Sequence, residues 1–168
     1  CFGPTFRAER SKTRKHLTEF WMVEPEVAWA TLADIADLAE GLLVAMVDRV
    51  LVHCREELKI LERDPVPLEK VRKPFPRLTY DQAVETVNGN GGTMTWGEDF
   101  GAPQEEALVK GLDRPVMVMR WPTAIKAFYM KRDPASLRHS LSVDCLAPEG
   151  YGEITGGGQR SADLAYLE

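Results

Sequence analysis

From Leu32 to Leu61, apolar residues return every three or four positions: Leu32, Ile35, Ala39, Leu42, Met46, Val50, Cys54, Leu58 and Leu61. That period predicts one amphipathic helix, or two in tandem. Pro25 suits an early helical position, and Asp64-Pro65-Val66-Pro67 ends the pattern. Gly41 is where such a helix would bend, at a cost of about 1 kcal/mol relative to alanine. Before the helix, residues 4–9 and 17–24 are apolar or aromatic enough for strands, and a polar stretch rich in Lys, Arg, Ser and Thr separates them. The reading there is strand, long loop, strand.

Residues 64–78 form a proline-punctuated connector. Thr79 is placed to cap a short helix, "TYDQAVETVN", and "NGNGG" breaks the chain after it. Gly101 to Lys110 reads as a further helix, "RPVMVMRW" and "KAFYMKR" as strands separated by Pro122, and "SLSVDCLA" with "YGEITGGG" as a strand pair. "SADLAYLE" opens a last helix. Without a regular βαβ alternation, the order predicts an α+β fold, a largely antiparallel β-sheet flanked by helices. The apolar stripe of the long helix reads as core packing, and Met117 and Met119 as strand filler.

Composition narrows the classes. A chain of 168 residues, 44% hydrophobic and 28% charged, suits one globular domain. The longest apolar run, Leu42 to Val47, falls far short of the roughly 20 residues that span a bilayer, so no membrane role is predicted. A net charge of −5 gives no global attraction for a polyanion, and any nucleic-acid contact must come from a local patch. Cys1, Cys54 and Cys145 form no CxxC pair and read as reduced thiols of a cytosolic protein. The chain opens at Cys1 with no charged and apolar leader, which predicts an internal segment of a longer protein.

Two segments carry candidate chemistry. In "GPTFRAERSKTRKHLTEFW", Arg7, Arg10, Lys12, Arg14, Lys15 and His16 lie on a predicted hairpin, where several cations can converge on one polyphosphate. Glu9 shares the face of Arg7, two residues away on a strand, while Phe20 and Trp21 point to opposite faces, so one of them lines the site. The competing reading is a solvated basic loop. At the other end, Asp144 and Glu153 lie on neighbouring predicted strands, followed by "GGGQR". Two hard oxygen ligands beside a glycine-rich backbone suit a Mg²⁺-nucleotide. The competing reading is a pair of ordinary surface carboxylates beside a glycine-rich bulge, since "GGG" lacks the spacing of a P-loop or a dinucleotide fold. His53 and His139 stand apart from one another and from cysteine, which argues against a metal site through them.

Taken together, the segments resemble the catalytic core of the asparaginyl-tRNA synthetase family, in the aspartyl and asparaginyl branch of class II aminoacyl-tRNA synthetases. "FGPTFRAERSKTRKHLTEFW" is similar to the family's second signature motif, an ATP-binding strand-loop-strand, and "EPEVAW", "FPRLTYDQA", "WGEDFG", "IKAFYM", "VDCLAPEGYGEI" and "GGGQR" follow in order. The resemblance spans essentially the whole chain. It implies motif 2 at residues 2–24, a long helical segment at 26–63, the connector at 64–78 and the remaining catalytic strands and helices at 79–168. Motif 1, motif 3 and the anticodon-binding domain are absent from these residues. The chain departs from the usual family wording at Lys15, where arginine is common, and in "GGGQRS", where "GGSQRE" is common.

The resemblance also implies roles. Arg7 would grip the α-phosphate of ATP and stabilise charge during attack by the amino-acid carboxylate. His16, with Lys15 or Arg14, would hold the terminal phosphates, and Phe20 would stack on adenine. Glu9 would fix the adenine or the amino acid, and Glu24 would bind the substrate ammonium. Asp144 and Glu153 would carry Mg²⁺, and Arg160 would hydrogen-bond the asparagine side-chain carbonyl. The implied activity is ATP-dependent activation of L-asparagine and its transfer to tRNA(Asn) by a cytoplasmic homodimer, with the 168-residue piece alone inactive in the overall reaction. Two alternatives are an asparagine synthetase-like paralogue that adenylates aspartate, and a non-catalytic remnant that binds a partner.

Overall fold

The computed structural model describes residues 1–8 and 16–167. The chain forms two units, Cys1–Ala30 and Thr31–Glu168. In the first, β1 (Phe2–Phe6) pairs antiparallel with β2 (Glu19–Val23), with Phe2 opposite Val23 and Phe6 opposite Glu19. Alternation gives the ribbon two faces. Phe2, Phe6, Trp21 and Val23 are exposed, with the rings of Phe2 and Trp21 at 5.0 Å, whereas Phe20 and Met22 are half-buried on the other face. The two strands are as predicted. Glu9, Arg10, Lys12, Arg14 and Lys15 lie outside the described residues.

In the second unit, α1 (Leu32–His53) starts at Thr31, whose hydroxyl accepts from the Asp34 amide while the Asp34 carboxylate accepts from the Thr31 amide. This capping box satisfies amide groups that the first helical turn leaves open. The predicted start near Pro25 is therefore corrected: Trp29 adopts φ 61°, a left-handed conformation that a bulky residue does not take inside a right-handed helix. The pattern does resolve into two helices in tandem, because Cys54 (φ −120°, ψ 34°) separates α1 from α2 (Arg55–Ile60). No break occurs at Gly41, and the helix runs through it. The connector is less irregular than predicted, since it holds α3 (Val66–Glu69) and leads into β3 (Arg77–Thr79).

Thr79 caps α4 (Tyr80–Gly89) through a second capping box, with Gln82, and α5 (Ala102–Val109) matches the predicted helix. β4 (Val116–Met119), β7 (Ser142–Ala147) and β8 (Gly152–Gly158) form the predicted strands. Among the described residues the main sheet has the order β3-β4-β7-β8, in which β3 runs parallel to β4 and the other pairs are antiparallel. α6 (Leu164–Leu167) follows.

"KAFYMKR" is not a strand. After a 3-10 turn at Thr123–Ile125 the chain turns again, and continuous strand pairing resumes in the small hairpin β5 (Arg132–Asp133) and β6 (Ser136–Ser140). The segment meets the end of the main sheet only at its last residues: Met130 bridges Arg160, the Lys131 amide donates to the Gln159 carbonyl at 2.8 Å, and the Leu141 amide donates to the Lys131 carbonyl at 2.7 Å.

Strand alternation splits the core. Met117, Val143 and Cys145 face α1, where they bury Leu32, Ala36 and Phe75. Val116, Val118 and Leu146 face α4 and α5, packed with Tyr80, Ala83, Val87, Leu108 and Trp121. Glu40 is a buried carboxylate on α1, and it is satisfied by the Phe75 amide and the Arg77 guanidinium.

Candidate active site

Asp144 pairs with Val118 in the sheet and so points to the α4/α5 side, beyond the apolar core. On β8, Gly156 is opposite Asp144 and therefore on the same face. Glu153 is three residues from Gly156, a spacing that in a regular strand puts the two on opposite faces. A β-bulge corrects this. Cys145 pairs with Thr155 but Leu146 pairs with Glu153, leaving Ile154 as the extra residue and turning Glu153 onto the face of Asp144.

The carboxylates then converge over the glycine. A Cβ at Gly156 would stand 2.7 Å from Glu153 Oε1 and 3.2 Å from Asp144 Oδ1, so the absence of a side chain keeps that space open. Asp144 is 5% exposed, and Lys126 donates to its Oδ2. The ammonium also lies 4.0 Å from the centre of the Trp121 ring, and Trp121 is fixed by a 3.0 Å bond from Nε1 to the Val118 carbonyl. Burial pushes the Asp144 carboxyl up to about 6; Lys126 opposes that shift, and the negative charges of Glu153 and Asp99 add to it. Three acids against one ammonium make a site that lowers its energy by taking up a cation. Two hard oxygens facing one open point are the donor set magnesium takes when a nucleotide supplies further oxygens, so the residues fit that ion. No group of three or more His, Cys, Asp or Glu side chains able to hold a metal alone occurs among the described residues.

The Asp99-bearing loop is anchored from α4. Tyr80 donates to the Glu98 carbonyl at 2.6 Å and accepts from the Gly97 amide at 3.0 Å. Asp81 accepts from Trp96 Nε1 and faces His139 Nε2 at 3.3 Å, with Ser136 Oγ 2.9 Å from His139 Nδ1. Burial works to raise the Asp81 carboxyl, but its bonds to Trp96 and His139 win and hold it below the usual range.

The third glycine of "GGG" has a separate cause. A Cβ at Gly158 would come within 2.6 Å of the Leu141 carbonyl and 2.9 Å of Ser142 Cα, so close approach of β7 and β8 excludes any side chain. Arg160 lies beyond the end of β8, exposed, with its guanidinium 4.9 Å from the Tyr129 ring and its backbone bridged to Met130.

In the hairpin unit, the Arg7 guanidinium lies over Phe20, 5.5 Å from the ring centre, and the Arg7 amide donates to the Thr18 carbonyl at 2.9 Å. Of the two aromatics, Phe20 rather than Trp21 shares the face of Arg7. Glu24 closes the open end of the ribbon through 2.9 Å backbone bonds with Cys1 in both directions, about 13 Å along the strand from Phe20. His16 is exposed.

Asp144 and Glu153 are thus brought together within one unit, and Arg7 and Phe20 within the other. Lys126 and Asp99 carry no individual signal in the sequence, Lys126 lying in a segment that reads as a strand and Asp99 within "WGEDFG", while Gly156 is the first glycine of the "GGGQR" predicted beside the two acids. A separate apolar groove of about 350 Å³, lined by Leu43, Val47, Leu68, Val71, Leu112 and Tyr151 among others, includes none of the predicted site residues.

The chain is similar in sequence and fold to known proteins. A family model described as tRNA synthetases class II (D, K and N) matches residues 1–168. An asparagine--tRNA ligase from Sorangium cellulosum is 56% identical over the whole chain, and one from Chloroflexus aurantiacus is 55% identical, also over the whole chain. In each case the match covers 40% of the relative, so the chain spans less than half the length of the curated relatives it matches. The crystal structure of asparaginyl-tRNA synthetase from Pyrococcus horikoshii complexed with asparaginyl-adenylate superposes with a TM-score of 0.94 at 46% identity, covering 99% of this chain and 38% of that one.

Proposed function

The chain belongs to the class II tRNA synthetases (D, K and N), and on that footing we propose that the full-length protein activates L-asparagine with ATP and transfers it to tRNA(Asn). The observation that carries the proposal is the convergence of Asp144 and Glu153 over Gly156, in a chain that asparagine--tRNA ligases match from end to end. The regions proposed are motif 2 at residues 2–24, the helical segment at 26–63, the connector at 64–78 and the rest of the catalytic domain at 79–168.

The roles follow the chemistry of each side chain. Arg7 offers a guanidinium fork for the α-phosphate, where negative charge builds during attack by the asparagine carboxylate. Phe20 gives adenine an aromatic face, and His16, with Arg14 and Lys15, holds the terminal phosphates. Glu9 acts on the adenine or amino-acid side, Glu24 takes the substrate ammonium, and Arg160 donates to the asparagine side-chain carbonyl. Asp144 and Glu153 hold Mg²⁺, which when bound neutralises charge on the phosphate oxygens. Alignment of attacking and leaving oxygens, with that neutralisation, supplies most of the rate, and little proton transfer is called for. A cytoplasmic homodimer is part of the same reading; among the described residues no helix is long and apolar enough to cross a membrane.

The test is amino-acid-dependent ATP–pyrophosphate exchange by the full-length protein. Exchange driven by asparagine and not by aspartate is expected. Exchange driven by aspartate alone would replace this reading with the paralogue that adenylates aspartate, and no exchange with either would leave a binding remnant.

A further inference from the structure

The two oxygens of Asp144 have different neighbours. Oδ2 accepts the Lys126 ammonium, while Oδ1 is turned toward Gly156 and Glu153 Oε1. Lys126 is itself held on two sides, by this carboxylate and by the face of the buried Trp121 ring, and its side chain is only 19% exposed. We propose that Lys126 is a metal-selectivity residue: by occupying Oδ2 it limits Asp144 to coordination through a single oxygen and so favours Mg²⁺ over Ca²⁺. The inference rests on the reading that Asp144 and Glu153 hold a divalent cation.

The reason is geometric. Mg²⁺ takes near-ideal octahedral positions at about 2.0–2.1 Å and suits carboxylates that each give one oxygen, whereas Ca²⁺ takes about 6–8 oxygens and readily accepts a carboxylate through both. A Ca²⁺ ion that uses both oxygens of Asp144 must share Oδ2 with the Lys126 ammonium, so two cations compete for the charge of one oxygen. A Mg²⁺ ion that uses Oδ1 leaves the bond to Lys126 in place. Lys126 acts through Asp144, as a positioning residue, and the effect is on the ratio of affinities. Removing one positive charge strengthens the attraction of any divalent ion, but it does so equally for two ions of the same charge, and the ratio cancels it.

The experiment uses full-length protein loaded with Tb³⁺, whose luminescence is sensitised by nearby tryptophan, and measures displacement by Mg²⁺ alone and by Ca²⁺ alone. In Lys126→Met the preference is expected to move toward Ca²⁺ by about tenfold or more, the scale of one charge-assisted hydrogen bond. Lys126→Arg, which keeps a cationic donor, should stay within about twofold of the parent ratio. Lys126→Gln serves as the uncharged variant if the methionine protein does not fold. A Mg²⁺/Ca²⁺ ratio unchanged within twofold in the uncharged variant, with both ions still displacing Tb³⁺, overturns the role of Lys126 alone. A Tb³⁺ signal that survives intact in Asp144→Asn and in Glu153→Gln overturns the metal reading beneath it.

Discussion

Gly156→Ala separates a site made by two carboxylates from a glycine that merely eases packing. The added Cβ would lie 2.7 Å from Glu153 Oε1, 3.2 Å from Asp144 Oδ1 and 3.8 Å from Glu153 Cδ. All three atoms belong to side-chain ends, and Gly156 is exposed, so the fold can yield by swinging the Glu153 carboxylate outward. The stability change is therefore small, below about 1 kcal/mol, and alanine's lower backbone entropy in the unfolded chain offsets part of it. The metal seat fares worse, because the two oxygens can no longer face the same point. Disturbing the groups that orient a metal site typically costs about 10–100-fold in affinity, or about 1.4–2.7 kcal/mol. Gly158→Ala is the control. Its Cβ would meet backbone, the Leu141 carbonyl at 2.6 Å and Ser142 Cα at 2.9 Å, which cannot swing aside, so it should destabilise the sheet by about 1–3 kcal/mol. The assay is the Mg²⁺ dependence of asparagine-driven ATP–pyrophosphate exchange in the full-length protein, with a thermal melt of each variant. Gly156→Ala should melt near the parent and need about tenfold or more Mg²⁺, whereas Gly158→Ala should melt lower. An alanine at 156 that leaves the Mg²⁺ dependence untouched would refute the reasoning.

Two further outcomes follow from buried carboxylates. Asp144 has a folded-state pKa of about 6, above its ordinary 3.8, so between these values the native state binds the extra proton and stability falls as pH rises, by up to about 3 kcal/mol. Compared by denaturation in metal-free buffer, Asp144→Asn should gain on the parent by that order from pH 4 to pH 7, and a pH-independent difference would contradict the shift. Glu40→Ala should cost about 2–4 kcal/mol, because it orphans the buried Phe75 amide and removes one of the two carboxylates on Arg77, while Glu40→Gln keeps an acceptor and should cost less. Equal stability of the two variants in a melt would count against that account.

The fold was legible where local chemistry and period agreed. "TYDQ" announces a cap at Thr79 with glutamine three residues on, and the unbroken apolar run "VMVM" gives a strand buried on both sides. The start of α1 was misjudged because Pro25 resembles a first-turn proline, while the operative signal is Thr31, immediately before the apolar repeat, with Asp34 three residues later. For the site, sequence placed Asp144 and Glu153 on neighbouring strands but could not show that they share a face, since that depends on an extra residue at Ile154. Lys126 was illegible because the segment around it reads as a strand, whereas its partner Asp144 lies 18 residues away and is reached only through the turns that follow β4.

The most direct test of the central claim is a crystal structure of the full-length protein grown with Mn²⁺ and a non-hydrolysable ATP analogue, with the metal located by its anomalous signal. The account predicts a Mn²⁺ ion over Gly156, directly coordinated by Asp144 Oδ1 and a Glu153 oxygen at about 2.1–2.2 Å, with Lys126 still on Oδ2. An ion bound to the nucleotide with neither carboxylate in its coordination sphere would contradict it.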